Sequence, residues 1–220
     1  LNNFISNYYL KVFFITFCFL VLINGSNFID GLDGLNLGYF LSILTIILIL
    51  SQSSKIIINE NQVMILFYVI SFLFILNMFN LLYLGDSGSY LISLLLGYFL
   101  IETNSSNPLI SPYFVALLLW YPAFENLFSI IRKKIIKFDP LDADNLHFHQ
   151  LLFSFFKKKK NKFIKNFSNP ISSLIINFYN FSIFFISLSY FSHTKSLLFL
   201  ILFNVTIYLF FYFLLKKKLY

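Results

Sequence analysis

Seven apolar stretches, each near the length of a membrane-crossing helix, leave this chain few choices of fold. They cover residues 8–23, 35–50, 63–82, 90–101, 112–131, 171–191 and 197–215. A spanning helix needs about 20 mostly apolar residues, and the fourth stretch is the shortest against that requirement. With 59% hydrophobic and only 11% charged residues, too little polar surface exists to cover a water-soluble globule. Backbone groups in lipid must bond within their own segment, which selects helices. The expected fold is therefore all-α, a polytopic transmembrane bundle of about seven helices, forming a single domain over residues 1–220.

The polar loops between these stretches alternate across the bilayer, and their charges choose the orientation. Placing 24–34, 83–89, 132–170 and 216–220 on one side puts 13 of the 16 basic residues there. Lysine and arginine concentrate in cytoplasmic loops, so that side is expected to be cytoplasmic. The net charge of +7 is thus read as a topological signal, and no nucleic-acid partner is implied. Cys18 stands alone in an apolar run, which excludes a disulfide framework and a cysteine metal site.

All six aspartates, Asp30, Asp33, Asp86, Asp139, Asp142 and Asp144, fall on that same side. Six of the seven glycines (Gly25, Gly31, Gly34, Gly38, Gly85 and Gly88) lie in or near the same loops. Glycine permits close backbone approach to a ligand, the use expected here; close helix–helix contact in lipid is the alternative.

Three polar segments carry the candidate chemistry. The first runs Asn24-Gly25-Ser26-Asn27-Phe28-Ile29-Asp30-Gly31-Leu32-Asp33-Gly34-Leu35. Two carboxylates three residues apart can share one ligand, although one Asp could equally cap the following helix. The second runs Tyr83-Leu84-Gly85-Asp86-Ser87-Gly88-Ser89. An aspartate between glycines at a helix start can hold Mg²⁺ and phosphate oxygens, with a helix cap as the simpler reading. The third joins Arg132 to Asp144, His147, His149 and Gln150. Arg132 is the single arginine among fifteen lysines, and a bidentate guanidinium on phosphate is a reason for lysine not to stand there. A solvated basic loop is the plainer account, and for Lys157–Lys160 it is preferred.

Together these segments resemble the polyprenyl-phosphate N-acetylhexosamine-1-phosphate transferases (glycosyltransferase family 4), nearer the WecA-type branch than the peptidoglycan enzyme phospho-MurNAc-pentapeptide transferase. The pattern Asn-x-x-Asp-Gly-x-Asp-Gly is met at Asn27, Asp30, Gly31, Asp33 and Gly34, and the aromatic-x-Gly-Asp-x-Gly-Ser pattern at Tyr83, Gly85, Asp86, Gly88 and Ser89. The late Arg with Asp-x-x-His-x-His is met at Arg132, Asp144, His147 and His149, Gln150 standing where a third His is common. The resemblance implies transfer of N-acetylhexosamine-1-phosphate from a UDP-sugar to undecaprenyl phosphate, releasing UMP and initiating cell-envelope polysaccharide synthesis. It implies Mg²⁺, or Mn²⁺ in its place, on Asp86. Tyr83 would stack on uracil, and Asn27, Asp30 and Asp33, joined by Asn77, would line the nucleotide pocket. Arg132, Asp144, His147 and His149 would address phosphate or sugar. The expected setting is the bacterial inner membrane with the site on the cytoplasmic side, and a homodimer is a further candidate assembly.

Two features depart from the family. Its adjacent aspartate pair on an earlier loop is absent, and seven helices are read where ten or eleven are usual. The chain opens on Leu1 rather than Met, so a longer protein lacking its N-terminal helices here is expected. A catalytically inactive paralogue or subunit that binds lipid phosphate is the competing expectation. The role of Glu125, alone inside an apolar run, stays open between the site and helix packing.

Overall fold

The computed structural model of the protein describes residues 8–53, 56–135 and 146–220. These form α1 (Tyr8–Ile29), α2 (Leu35–Gln52), α3 (Glu60–Met78), α4 (Gly85–Ser106), α5 (Pro112–Leu118), α6 (Trp120–Ile135), α7 (Phe148–Lys157), α8 (Lys162–Asn166), α9 (Ser168–Ser187) and α10 (Thr194–Leu219). A short 3₁₀ turn over Leu188–Tyr190 continues α9, and no strand occurs among the described residues. The fold is the all-α polytopic bundle expected, with each of the seven apolar stretches largely helical.

Helix α2 sits at the centre because it is apolar on every side, the pattern of a fully enclosed helix. Tyr39, Phe40, Ile43, Leu44 and Ile46 are completely buried. It packs against α3 and α9, while α1 packs against α4 and α6, and α7 lies across α9 and α10. The outward faces keep large apolar side chains such as Phe178, Phe199 and Phe210 exposed, as lipid contact requires.

Five helices, α1, α2, α3, α9 (with its 3₁₀ turn) and α10, are each long and apolar enough to cross a membrane. The stretch 112–131, a single helix by its apolar length, breaks into α5 and α6 with a 70° bend. Pro122 explains the break: its ring clashes with the carbonyl four residues back, and it has no N–H to bond there. The short stretch 90–101 extends in both directions to become the 22-residue α4. The polar residues it gains, Asp86 and Glu102 among them, keep it from counting as a span by composition.

Two further expectations are corrected. Residues 132–170 are not a plain loop: 132–135 complete α6, and α7 and α8 follow. Nor do all the glycines serve ligand approach. A Cβ on Gly25 would collide with the Pro122 carbonyl, and one on Gly38 with the Asn177 amide. These two glycines let α1 approach α6 and α2 approach α9, the small-residue contact common in membrane bundles.

Candidate active site

The three polar segments meet at one end of the bundle because each lies at a helix junction there. The first turns between α1 and α2, where Gly34 takes φ 73°, a left-handed conformation that side-chain-bearing residues rarely adopt. The second turns between α3 and α4, using Asn80 at φ 57° and Gly85 at φ 65°. The third enters α7 at His147, the residue just before that helix.

Amide side chains lock these turns together. The Asn77 side chain accepts from the Gly34 N–H and donates to the Leu82 carbonyl at 2.9 Å, tying the first turn to the second. Asn177 of α9 donates to the Gly34 carbonyl at 2.9 Å. Asn36 donates to the Ser89 hydroxyl at 2.8 Å, joining the first turns of α2 and α4. Each bond satisfies a group that burial would otherwise leave costly.

The result is a cavity of about 620 Å³ lined by Asn27, Asp30, Asp33, Asn77, Tyr83, Asp86, Lys133, His147, Gln150 and Asn169, with backbone from Gly31 and Gly85. That volume falls within the range of small-ligand sites, roughly 300–1,000 Å³. Its carboxylates differ in environment. Burial pushes Asp30 up to about 7, with the Asp86 charge adding to the rise and the Asn36 amide opposing it. Burial also raises Asp33, against the opposing hydrogen bond from Asn169. Asp86 is exposed in the first turn of α4. The N-cap position of that helix is Leu84 and Asp86 lies inside the first turn, so Asp86 is not the N-cap residue.

Among the described residues, no group of three or more His, Cys, Asp and Glu could cage a metal ion. The cavity does offer two neighbouring carboxylates, Asp30 and Asp86. Mg²⁺ commonly uses one or two carboxylates together with substrate phosphates, so this donor set fits it. The Tyr83 ring is 77% exposed, open for stacking at the rim.

Two expected residues do not reach the cavity. Arg132 is buried, donating to the Leu146 carbonyl, to the Tyr212 hydroxyl at 3.1 Å and to the Ser129 hydroxyl at 3.3 Å. It stitches α6 to α10 and to the entry of α7, and its neighbour Lys133 lines the cavity instead. His149 is completely enclosed, neither ring nitrogen has a hydrogen-bond partner among the described residues, and its Nε2 lies against Gly31. Burial holds its pKa down at about 4, so near neutral pH it is an uncharged core imidazole. Asp144, with Asp139 and Asp142, lies outside the described residues.

Three contributors do not stand out in the sequence. Asn169, at the start of α9, accepts from the Asp33 N–H at 2.9 Å and donates to its Oδ2 at 2.8 Å. Its only signal is the Asn-Pro pair ahead of an apolar run. Lys133 is hidden among neighbouring lysines. Gln150 marks itself only as a departure from a pattern; here its side chain accepts from the His147 N–H at 3.3 Å and faces the cavity.

Residues 1–104 match glycosyl transferase family 4. The matched segment contains Asn27, Asp30, Asp33, Asn77, Tyr83 and Asp86, while Lys133, His147, Gln150 and Asn169 reach the cavity from beyond it. Curated relatives include a decaprenyl-phosphate N-acetylglucosaminephosphotransferase of Mycolicibacterium smegmatis, 31% identical over 60% of this chain and 37% of that protein. The undecaprenyl-phosphate alpha-N-acetylglucosaminyl 1-phosphate transferase of Thermotoga maritima is 31% identical over 64% of this chain and 42% of its own length. A probable undecaprenyl-phosphate N-acetylglucosaminyl 1-phosphate transferase of Bacillus subtilis is 32% identical over 60% and 37% respectively. The match thus spans about two fifths of each relative's length. No solved structure matches the chain.

Proposed function

We propose that this chain carries the nucleotide-and-metal side of a membrane-embedded N-acetylhexosamine-1-phosphate transferase acting on polyprenyl phosphate. The observation that supports it most is the convergence of Asp30, Asp33, Asp86, Tyr83 and His147 on one cavity, although they lie in three separate sequence segments. The names of the relatives favour an N-acetylglucosamine phosphate donor and an undecaprenyl or decaprenyl phosphate acceptor; a UDP-linked donor is what the motif resemblance adds.

In this reading an oxygen of the lipid phosphate forms a bond to the sugar-bearing phosphorus, the bridging P–O bond breaks, and UMP leaves with the bonding electrons. Asp86, with Asp30 beside it, would hold Mg²⁺, which supplies charge neutralisation on the diphosphate when bound. The chain's own residues do the positioning on which phosphoryl transfer leans. Tyr83 receives the base, Asn27 and Asp33 face the ribose and uracil side, and Lys133 and His147 approach the phosphates. Lys133 at the cavity, and the Lys158 ammonium reaching the Leu219 carbonyl at the end of α10, gather the basic residues at this end of the bundle. Positive residues favour the cytoplasmic side, which supports an inner-membrane enzyme with a cytoplasmic site.

The test is exchange of labelled UMP into UDP-N-acetylglucosamine, in membranes containing the full-length protein and polyprenyl phosphate. Exchange should require Mg²⁺, cease with a chelator, and fall by roughly 10²- to 10³-fold in Asp86→Asn, the loss of several kcal/mol of charge stabilisation. Absence of exchange above control membranes overturns the reading.

A further inference from the structure

Beneath the cavity lies a buried carboxylate that the proposed chemistry does not use. Glu125 of α6 is completely enclosed, in a stretch expected to cross the membrane. Its Oε1 bonds Nδ1 of His147 at 2.9 Å and accepts from the Phe148 N–H at 3.2 Å. Its Oε2 accepts from the Tyr208 hydroxyl at 2.7 Å. A carboxylate in apolar surroundings persists only where its oxygens are well bonded, and here three donors from α7, its entry and α10 converge on it. Of the three, only His147 lines the cavity.

We infer that Glu125 is the positioning residue for His147, an inference that rests on the transferase reading for its chemical meaning. Carboxylate on Nδ1 fixes the tautomer and the ring plane, as second-layer partners do for metal-bound and catalytic histidines. Nε2, on the opposite edge of the ring, then carries the lone pair and is the nitrogen that would accept from a phosphate hydroxyl. Tyr208 and the Phe148 N–H hold the carboxylate in one orientation, so the ring has one as well. The tilted packing of Phe28 on the imidazole, with centroids 5.1 Å apart, brings the first motif against the same ring. The sequence places these parts 22 and 83 residues apart, and only the bent α5–α6 unit with α10 brings them together.

Histidine-selective ¹⁵N labelling of the full chain tests the geometry without turnover. With His147→Gln identifying its signal, His147 is expected to carry a proton on Nδ1 in the wild type, and to lose that preference in Glu125→Met. A wild-type ring with bare Nδ1 overturns the inference. Where UMP exchange is measurable, Glu125→Met should lower kcat by roughly 10- to 100-fold, with KM for the nucleotide sugar within about threefold. Glu125→Gln should restore most of the rate, because its amide oxygen still accepts from Nδ1–H. In a His147→Gln background Glu125→Met should cost nothing further. An equal loss in both backgrounds, or a wild-type rate in Glu125→Met, overturns the inference. An inactive wild type with Nδ1 protonated sinks only the transferase reading.

Discussion

Asn169 grips Asp33 at both ends of the residue, accepting from its backbone N–H and donating to its carboxylate from 136 positions away. The contact fastens the turn that carries both first-motif aspartates to the start of α9. Asp33 is only partly buried, so without this bond its carboxylate would sample several rotamers. Asn169→Leu should therefore weaken binding of UDP-N-acetylglucosamine by roughly tenfold, equivalent to about 1.4 kcal/mol. Asn169→Asp should weaken it further, since it sets a second carboxylate against the first. Calorimetric titration in detergent reads both; wild-type affinity in Asn169→Leu would remove Asn169 from the site.

The Asp30 environment makes cation binding pH-dependent. Its carboxyl is raised to about 7, first by burial and then by the Asp86 charge. A cation needs the ionised form, so binding should weaken as pH falls below 7 and should release a proton. The stability consequence has the opposite sense. In the cation-free chain the folded state holds the proton more tightly than the unfolded state, so this group's contribution declines as pH rises from about 4 to 7. Asp30→Asn should flatten the first; in melts it should lose stability more steeply than the wild type as pH falls from 7 to 4, because the opposite contribution of His149 is then unopposed. Mg²⁺ titrations between pH 6 and 8 (roughly one unit either side of that value) check the first, and thermal melts across pH 4–7 check the second.

His149 works against folding at acid pH. Its pKa is held at about 4 by burial, whereas an unfolded imidazole titrates near 6.5. Between those values the unfolded chain binds more protons, so stability is fully present above about 6.5 and is lost as pH falls towards 4. His149→Phe keeps the volume and removes the titration. Relative to the wild type, its melting temperature should rise progressively as pH falls over that interval, and a parallel pH profile would exclude His149 as the cause.

The bundle is legible in the sequence because apolar run length is a direct consequence of bilayer thickness, and each of the seven runs is largely helical. The cavity is legible through Asp30, Asp33, Tyr83 and Asp86, because they stand in short polar islands between those runs. What stays hidden depends on contacts between distant helices. Arg132 has the right chemistry for phosphate, yet its guanidinium bonds Tyr212 across 80 positions, and residue type alone cannot reveal that. Glu125 stands out as a charge in an apolar run, but its partner Tyr208 looks like any other aromatic of α10. Asn169 and Asn177 resemble ordinary polar residues of α9 until the fold sets them against the first turn.

The glycines separate packing from backbone conformation and so yield opposed predictions. Gly25 lies where α1 crosses α6, and any Cβ there meets the Pro122 carbonyl, a backbone atom that cannot swing aside. Gly25→Ala should force the helices apart and cost about 1–3 kcal/mol, the usual range for overpacking. Gly85 has φ 65°, but a Cβ at that position would meet nothing within 4 Å. Gly85→Ala should therefore cost only about 1 kcal/mol of left-handed strain, while shifting the backbone beside Asp86. The two variants should part in their readouts: Gly25→Ala lowers the unfolding midpoint in detergent more than Gly85→Ala does. Gly85→Ala, in turn, loses more of its Mg²⁺-dependent UMP exchange per unit of lost stability. The reverse ranking in either measurement would mean that Gly25 does not set the α1–α6 approach, or that Gly85 does not shape the turn at Asp86.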